Sequence, residues 1–100
     1  MEKFIGVVEV RSAAGWDILG GADGAFVNVL CLAASPERFR ERVIECMREH
    51  HLEVLNFADV GLVEDRVSAK QLVPELEALA NVLTDEFPIQ FDEFQAYEER

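Results

Sequence analysis

Residues 25–34 read AFVNVLCLAA, and this stretch decides the fold. Every residue in it except Asn28 is apolar, so both faces of the strand that it predicts are apolar. Such a strand is typical of the centre of a sheet, where neighbouring elements cover it on both sides. The turn pair Asp23-Gly24 precedes it, and the apolar run ends at Ala34.

A helix is predicted directly after this strand. Ser35 can accept hydrogen bonds from the free amides of a first turn, Pro36 suits the first helical position, and Glu37 complements the helix dipole. Apolar residues then recur at helical spacing from Phe39 to His50, while Glu and Arg residues occupy the other side. The pattern predicts a helix over residues 36–50.

The flanking sequence predicts the remaining elements from the same kinds of signal. β-Branched and aromatic residues predict strands, and a stripe of four leucines predicts a second helix. Pro74 forbids a helix that runs straight through from Ser68, so we place the start of this helix near Lys70 and its end near Asp85. The predicted strands are 4–11, a short one at 16–19, 52–63 with an interruption near Gly61, and a weaker one at 89–97. A polar turn is expected at 64–66, and residues 98–100 are expected to fray.

This order of elements predicts one α+β domain over residues 1–100. One hundred residues is an ordinary domain size, and no linker divides the chain. Two helices and a mostly antiparallel sheet favour a two-layer sandwich, with both helices on one face in a ferredoxin-like arrangement.

The charge balance excludes several classes of partner. Twenty acidic residues against nine basic ones give a formal net charge of −11. Nucleic acids and anionic membranes are repelled by such a surface, whereas a basic protein partner is compatible with it. Two cysteines are too few for a disulfide framework, and we find neither a cleavable signal nor an apolar run of membrane-spanning length. We therefore expect a cytoplasmic protein.

The residues that could carry chemistry do not form a convincing site. Cys46, His50, His51 and Glu53 are possible zinc ligands, but they lack the close pairs of a structural zinc site. Cys31 lies among apolar residues, which should raise the pKa of its thiol rather than activate it. The glycines at 20–24 precede a strand, whereas a phosphate cradle needs a helix N-terminus. We therefore predict no catalytic residue, no cofactor and no metal.

A two-layer fold would leave one sheet face bare, and this gives the main functional prediction. Phe26, Leu30 and Leu32 lie on one side of the central strand, and an uncovered apolar face of this kind is rare in soluble monomers. A second copy of the chain, a different protein, or the chain's own segment 12–24 and C-terminal strand would cover it, and of these we favour a homodimer through that face. Trp16, with Asp17 and Asp23, forms a second candidate binding region, in which Trp16 is either a loop anchor or an exposed recognition residue.

Two hypotheses for the function remain open at this point. The first is a small acidic protein-interaction module that self-associates and also offers its surface to a basic partner, as an inhibitor-type or immunity-type protein does. The second is a small-molecule-sensing or minor catalytic domain with a pocket at the Gly-rich segment 12–24, which holds four of the six glycines. The absence of a recognisable nucleophile, base or metal set in the sequence favours the first.

Overall fold

The computed structural model describes residues 1–98 and shows an α+β fold with an antiparallel sheet, as predicted. In chain order the elements are β1 (Glu2–Ser12), β2 (Gly24–Ala33), α1 (Pro36–Glu49), β3 (Leu52–Leu62), α2 (Val63–Ser68), α3 (Pro74–Asn81), β4 (Ile89–Phe91) and β5 (Gln95–Tyr97). Of the residues for which fraying was predicted, 99 and 100 lie outside the described range. Each helix within that range is too short or too polar to cross a membrane.

β1 and β2 are the interior strands of the sheet, each paired on both edges. The order of the strands is β3-β1-β2, and the short strands β4 and β5 both pair with the edge of β2 that faces away from β1. β2 and β3 run parallel because each is antiparallel to β1, so α1 connects them across β1. The chain begins with two successive strands, which differs from the β-α-β-β-α-β order of the predicted ferredoxin-like arrangement.

Helix α1 covers one face of the sheet, which we call the first face. It begins at the predicted position, where Ser35 Oγ accepts a hydrogen bond from the backbone N–H of Arg38 at 3.2 Å. The inner side of the helix buries three large side chains, Phe39, Val43 and Met47. Full burial of a side chain of this size stabilises the fold by about 1.5–3 kcal/mol. Packing on the sheet, together with the predicted cap, therefore holds α1.

Helices α2 and α3 lie on the opposite, second face of the sheet. Adjacent residues of a strand point to opposite faces, and Phe4 belongs to the core under α1 whereas Ile5 belongs to a separate cluster. The buried members of this separate cluster are Ile5, Leu30, Leu32, Val63, Ala80 and Leu83. The prediction of two helices on one face of a two-layer sandwich is therefore wrong, because helices lie on both faces.

The segment after β3 departs most from its prediction. We expected a polar turn at 64–66 and a single helix over about 70–85, but the chain forms α2 immediately and then the shorter α3. Pro74 occupies the first turn of α3, where its missing N–H removes no helical hydrogen bond. Val63 is buried in the second-face cluster, so tertiary packing stabilises a six-residue helix that is too short to form alone.

Two other predicted strands are modified in the structure. The expected short strand at 16–19 is part of a turn-rich loop, in which Ser12 Oγ accepts hydrogen bonds from the N–H groups of Ile18 and Leu19. The expected strand at 89–97 is divided into β4 and β5 by a break at residues 92–94.

Strand β3, at the edge of the sheet, is irregular. The pairing with β1 shifts register at Leu55 and again near Asp59, which has a left-handed backbone angle φ of 53°. The guanidinium of Arg66 donates a hydrogen bond to the backbone carbonyl of Asp59. Bulges and occupied carbonyl groups make a strand edge a poor template, so pairing of another chain with β3 is disfavoured.

Candidate protein-binding surface

The second face of the sheet is covered along only part of its length. α2 and α3 lie over the row that contains Ile5 and Leu30, and the rows nearer to the 13–23 loop are open. We call this uncovered part the open half-face, and the strand register assigns to it Val7, Glu9, Phe26, Asn28, Asn56 and Ala58. None of these six side chains is buried, and Phe26 is 44% exposed. The open half-face is the part of the sheet that another molecule can reach.

Glu9, Phe26 and Tyr97 form the centre of the open half-face. Glu9 and Phe26 are direct cross-strand partners, and the Oη of Tyr97 donates a hydrogen bond to Glu9 Oε2. The ring centroids of Phe26 and Tyr97 lie 5.3 Å apart. A Cβ atom at Gly24 would collide with the Tyr97 ring. A glycine at this position therefore allows the tyrosine to lie across β2 and reach the carboxylate.

Asp92 closes one side of the open half-face. In the break between β4 and β5, its carboxylate accepts hydrogen bonds from the backbone N–H of Asn28 at 2.9 Å and from the side-chain amide at 2.8 Å. The backbone N–H of Asp92 also donates to the carbonyl of Asn28. These bonds replace the regular ladder where the edge strand is interrupted, so both side chains serve the fold.

An ion pair bounds the other end of the open half-face. Arg11 donates to both carboxylate oxygens of Glu53, at 3.0 and 3.1 Å. About half of each side chain is exposed, at 53% and 52%, so this pair contributes little stability but neutralises both charges. Glu9 differs, because its partner is the uncharged hydroxyl of Tyr97 and no cation among residues 1–98 pairs with it.

Two residues that we predicted to bind a partner are covered by the chain itself. Leu30 is fully buried and Leu32 is 9% exposed, and both belong to the same buried cluster as Ala80 and Leu83. Neither leucine can contact another protein unless α3 and the residues after it move away, so both are removed from the candidate surface. Phe26, predicted together with them, is exposed and lies in the open half-face.

Trp16 lies in the 13–23 loop. It stacks on the side-chain ring of a residue that lies outside the hydrophobic core. Its indole stacks on the imidazole of His51, with centroids 3.6 Å apart and 4° between the planes. His51 follows α1 in a left-handed conformation, with φ of 59°, which presents its ring to the loop. Trp16 remains 53% exposed. One ring face of Trp16 is therefore anchored and much of the side chain is open to solvent, while its role in binding a partner stays a prediction.

The two aspartates predicted beside Trp16 take part in the loop structure. Asp17 Oδ1 accepts a hydrogen bond from the backbone N–H of Gly21 at 2.6 Å, which closes a turn. The backbone N–H of Asp23 donates to the carbonyl of Tyr97, which ties the end of the loop to β5. The loop therefore adjoins the open half-face at its Tyr97 side, and the binding role of both aspartates stays a prediction.

The two thiols favour the protonated form. Burial raises the pKa of Cys31 to about 11, in agreement with the prediction, and its Sγ donates to the backbone carbonyl of Leu32 at 3.2 Å. Burial also raises the pKa of Cys46, and the negative charge of Glu49 adds to this effect. Nucleophilic cysteines have lowered pKa values, so neither thiol resembles an activated nucleophile.

The possible zinc ligands lie against separate partners. The Nδ1–H of His50 donates to the backbone carbonyl of Cys46 at 2.9 Å, while His51 stacks on Trp16 and Glu53 pairs with Arg11. Within residues 1–98, no three His, Cys, Asp or Glu side chains are grouped as a metal site requires.

Cavities on the described surface are shallow grooves. One of about 450 Å³ lies between α1 and residues 86–89, and another of about 560 Å³ lies between α3 and the break that separates β4 from β5. Of four such grooves, one is lined by Ala13, and no other residue of the Gly-rich segment 12–24 lines any of them. The predicted pocket at that segment therefore receives no support from these grooves.

Glu9 is the site residue that the sequence prediction missed, although a signal was present. On the second face, the side chains of β1 run Ile5, Val7, Glu9 and Arg11, so they change from apolar to charged along the strand. On β2 the same face runs Leu32, Leu30, Asn28 and Phe26, so an apolar residue follows the polar one. The gradient along β1 therefore marks which half of the face needs a cover.

The chain matches no protein-family model, no curated protein and no solved structure. The functional assignment therefore rests on the geometry and chemistry of the open half-face.

Proposed function

We propose that this chain is a protein-interaction module that binds a short basic segment of another protein on its open half-face. The observation that carries this proposal is the Glu9 carboxylate, which no cation among the described residues neutralises and which lies beside the exposed ring of Phe26. Aromatic side chains surrounded by polar groups are typical of the centres of protein interfaces.

Charge complementarity supports a basic partner. The chain carries a formal net charge of −11, which attracts positively charged proteins over long distances and repels nucleic acids. At the surface itself, Arg11 is already paired with Glu53, and among residues 1–98 no cation pairs with the Glu9 carboxylate of the open half-face. Such an arrangement accelerates encounter with cationic partners and selects against acidic ones.

The size of the open half-face supports a short segment rather than a second copy of the chain. When the Arg11–Glu53 ion pair and the β5 residues Gln95 and Tyr97 are included, the open half-face has three rows of side chains across four strands, which span about 13 Å by 14 Å at the usual strand dimensions. Including its rim, the patch has an area on the order of 300 Å², well below the ~800 Å² per partner of a stable interface. Two chains that each carry −11 would also repel one another.

The self-association predicted from the sequence loses its main physical argument in the structure. Ile5, Leu30 and Leu32 supply the most apolar part of the second face, and α2 and α3 of the same chain cover them. Dimerisation is therefore one of the alternatives that the experiments below distinguish from the binding of a basic partner.

The proposal is tested by comparing two arginine substitutions in affinity capture from lysate of the producing cells. Ala58→Arg adds bulk and positive charge in the open half-face, whereas Ala78→Arg makes the same change on the exposed side of α3. Captured proteins are identified, purified and titrated calorimetrically against each variant.

We expect a basic protein that binds the wild type and A78R equally, binds A58R about tenfold more weakly, and dissociates with added salt. Equal affinity for A58R and A78R would overturn the proposal, as would a bound partner that carries net negative charge.

A further inference from the structure

We propose that Glu9 and Phe26 form an anchor subsite for one arginine side chain of the bound segment. This inference rests on the proposed function and adds the chemistry of the recognised residue. It follows from the arrangement of three groups at the centre of the open half-face: a carboxylate, an exposed aromatic ring and a neighbouring amide.

The carboxylate of Glu9 is oriented with one oxygen left for a ligand. Tyr97 Oη donates to Oε2 of Glu9, while Oε1 has no hydrogen-bond partner among residues 1–98. Directly opposed side chains in an antiparallel pair have Cβ atoms about 4.5–5.5 Å apart, so the side chains of Phe26 and Glu9 leave the sheet next to each other. A side chain that rests on the ring can therefore donate to the carboxylate.

Arginine fits this arrangement better than lysine does. A guanidinium is planar, stacks on an aromatic face and presents several N–H donors at once, whereas an ammonium group is a compact point charge. Asn56 pairs with Glu9 on the β3 side and is exposed, so its amide oxygen can accept a further N–H of the same guanidinium. A charged donor also makes the hydrogen bond to a carboxylate stronger than a neutral donor would.

The neighbouring rows define what surrounds the arginine. Val7 lies two residues before Glu9 on the same face of β1, and Ala58 lies opposite Val7 on β3. Both are apolar and offer contact to an apolar side chain of the ligand. In an extended segment, residues two apart point to the same side. We therefore expect an arginine with an apolar residue two positions away.

The probe is the peptide acetyl-Leu-Ser-Arg-Ser-Leu-amide, compared with the same peptide carrying citrulline in place of arginine. Citrulline keeps the shape of arginine and removes its charge. Each peptide is titrated into the full ¹⁵N-labelled chain at low ionic strength, and the backbone amide shifts are followed. We expect the arginine peptide to move the amides of Val7, Glu9, Phe26 and Ala58 and to bind about tenfold more tightly than the citrulline peptide.

Two matched substitutions separate the subsite from the general acidity of the chain. Glu9→Gln and Glu77→Gln each remove one negative charge, but Glu77 is an exposed residue of helix α3 and is not part of the open half-face. We expect E9Q to weaken the arginine peptide by about tenfold and E77Q to change its affinity by less than about twofold. Phe26→Leu keeps an apolar contact and removes the ring face, and it should weaken binding by about threefold.

Equal effects of E9Q and E77Q would overturn the anchor subsite, as would equal affinities for the two peptides. The proposed function has a separate readout, because it depends on the difference between A58R and A78R in binding the captured partner. Loss of partner binding in A58R with no preference for arginine would contradict the subsite and leave the binding surface in place.

Discussion

Gly24 sets the position of Tyr97 and, through it, the orientation of the Glu9 carboxylate. Gly24→Ala would place a Cβ atom against the Tyr97 ring and displace it from Glu9. We expect the free energy of unfolding to fall by about 1–2 kcal/mol, as for overpacking elsewhere, and the proximity of the Phe26 and Tyr97 rings to be lost. Urea unfolding and nuclear Overhauser effects between the two rings measure these changes.

Gly61→Ala is the matched control for this substitution. A Cβ at Gly61 would contact Arg66 at 3.7 Å, an ordinary van der Waals distance, so this variant should be as stable as the wild type or slightly more stable. Equal stability of G24A and G61A would contradict the account of Gly24.

The buried Cys31 thiol predicts a pH dependence of stability with a definite sign. Burial raises the pKa of Cys31 in the folded chain from the ordinary value of 9.0 to about 11, so the folded state keeps its proton where the unfolded state loses it. The stability that this group contributes is complete below pH 9.0 and is lost as the pH rises toward about 11.

Cys31→Ala removes this titration and gives the comparison. The wild type should lose unfolding free energy more steeply than C31A between pH 9.0 and about 11, whereas the difference between them should be constant below pH 9.0. Urea unfolding across this range measures both slopes, and parallel curves would refute the role assigned to Cys31.

Helices α2 and α3 and the residues that follow α3 cover part of the second face, and Leu83, just after α3, tests the contribution of this cover. Leu83 is 6% exposed and packs with Leu30 and Leu32, whereas the adjacent Val82 is 53% exposed. We expect Leu83→Ala to lower the free energy of unfolding by about 2–4 kcal/mol, because it leaves a cavity over the sheet. Val82→Ala should lower the free energy of unfolding by at most about 1 kcal/mol. Similar costs for the two variants, measured by chemical unfolding, would contradict the covering role.

The elements that the sequence predicts well are those with local signals. α1 has a capping serine, a proline in its first turn and a regular apolar stripe, and all three act in the structure as expected. α2 has none of these signals and forms because Val63 is buried against the sheet. The sheet face on which a helix lies depends on the path by which the chain crosses from one strand to the next. The apolar stripe of the helix does not indicate that path.

The candidate site was predictable in part, for a similar reason. Phe26 was identified from the strand pattern, whereas Leu30 and Leu32 on the same face were assigned to binding because the position of α3 was unknown. The change from Ile5 to Glu9 along β1 contained the missing information. Tyr97 could not be connected with Glu9 from sequence, since they meet through a pairing that spans most of the chain.

The molecule as a whole combines strong negative charge with a sheet that its own helices cover incompletely. α1 covers the first face, and α2 and α3 cover the Ile5 end of the second. The remaining patch is small, and at its centre lies the Glu9 carboxylate, with which no cation among residues 1–98 pairs. These properties favour a short cationic ligand over a second acidic chain.

Sedimentation equilibrium of the wild type and A58R, from micromolar to near-millimolar concentration at physiological ionic strength, tests most directly whether the open half-face is free for such a ligand. We predict that both proteins are monomers over the whole range, because the patch is too small and the chains too acidic to self-associate. A concentration-dependent dimer of the wild type that A58R dissociates would show that a second copy occupies this surface, and would contradict the account.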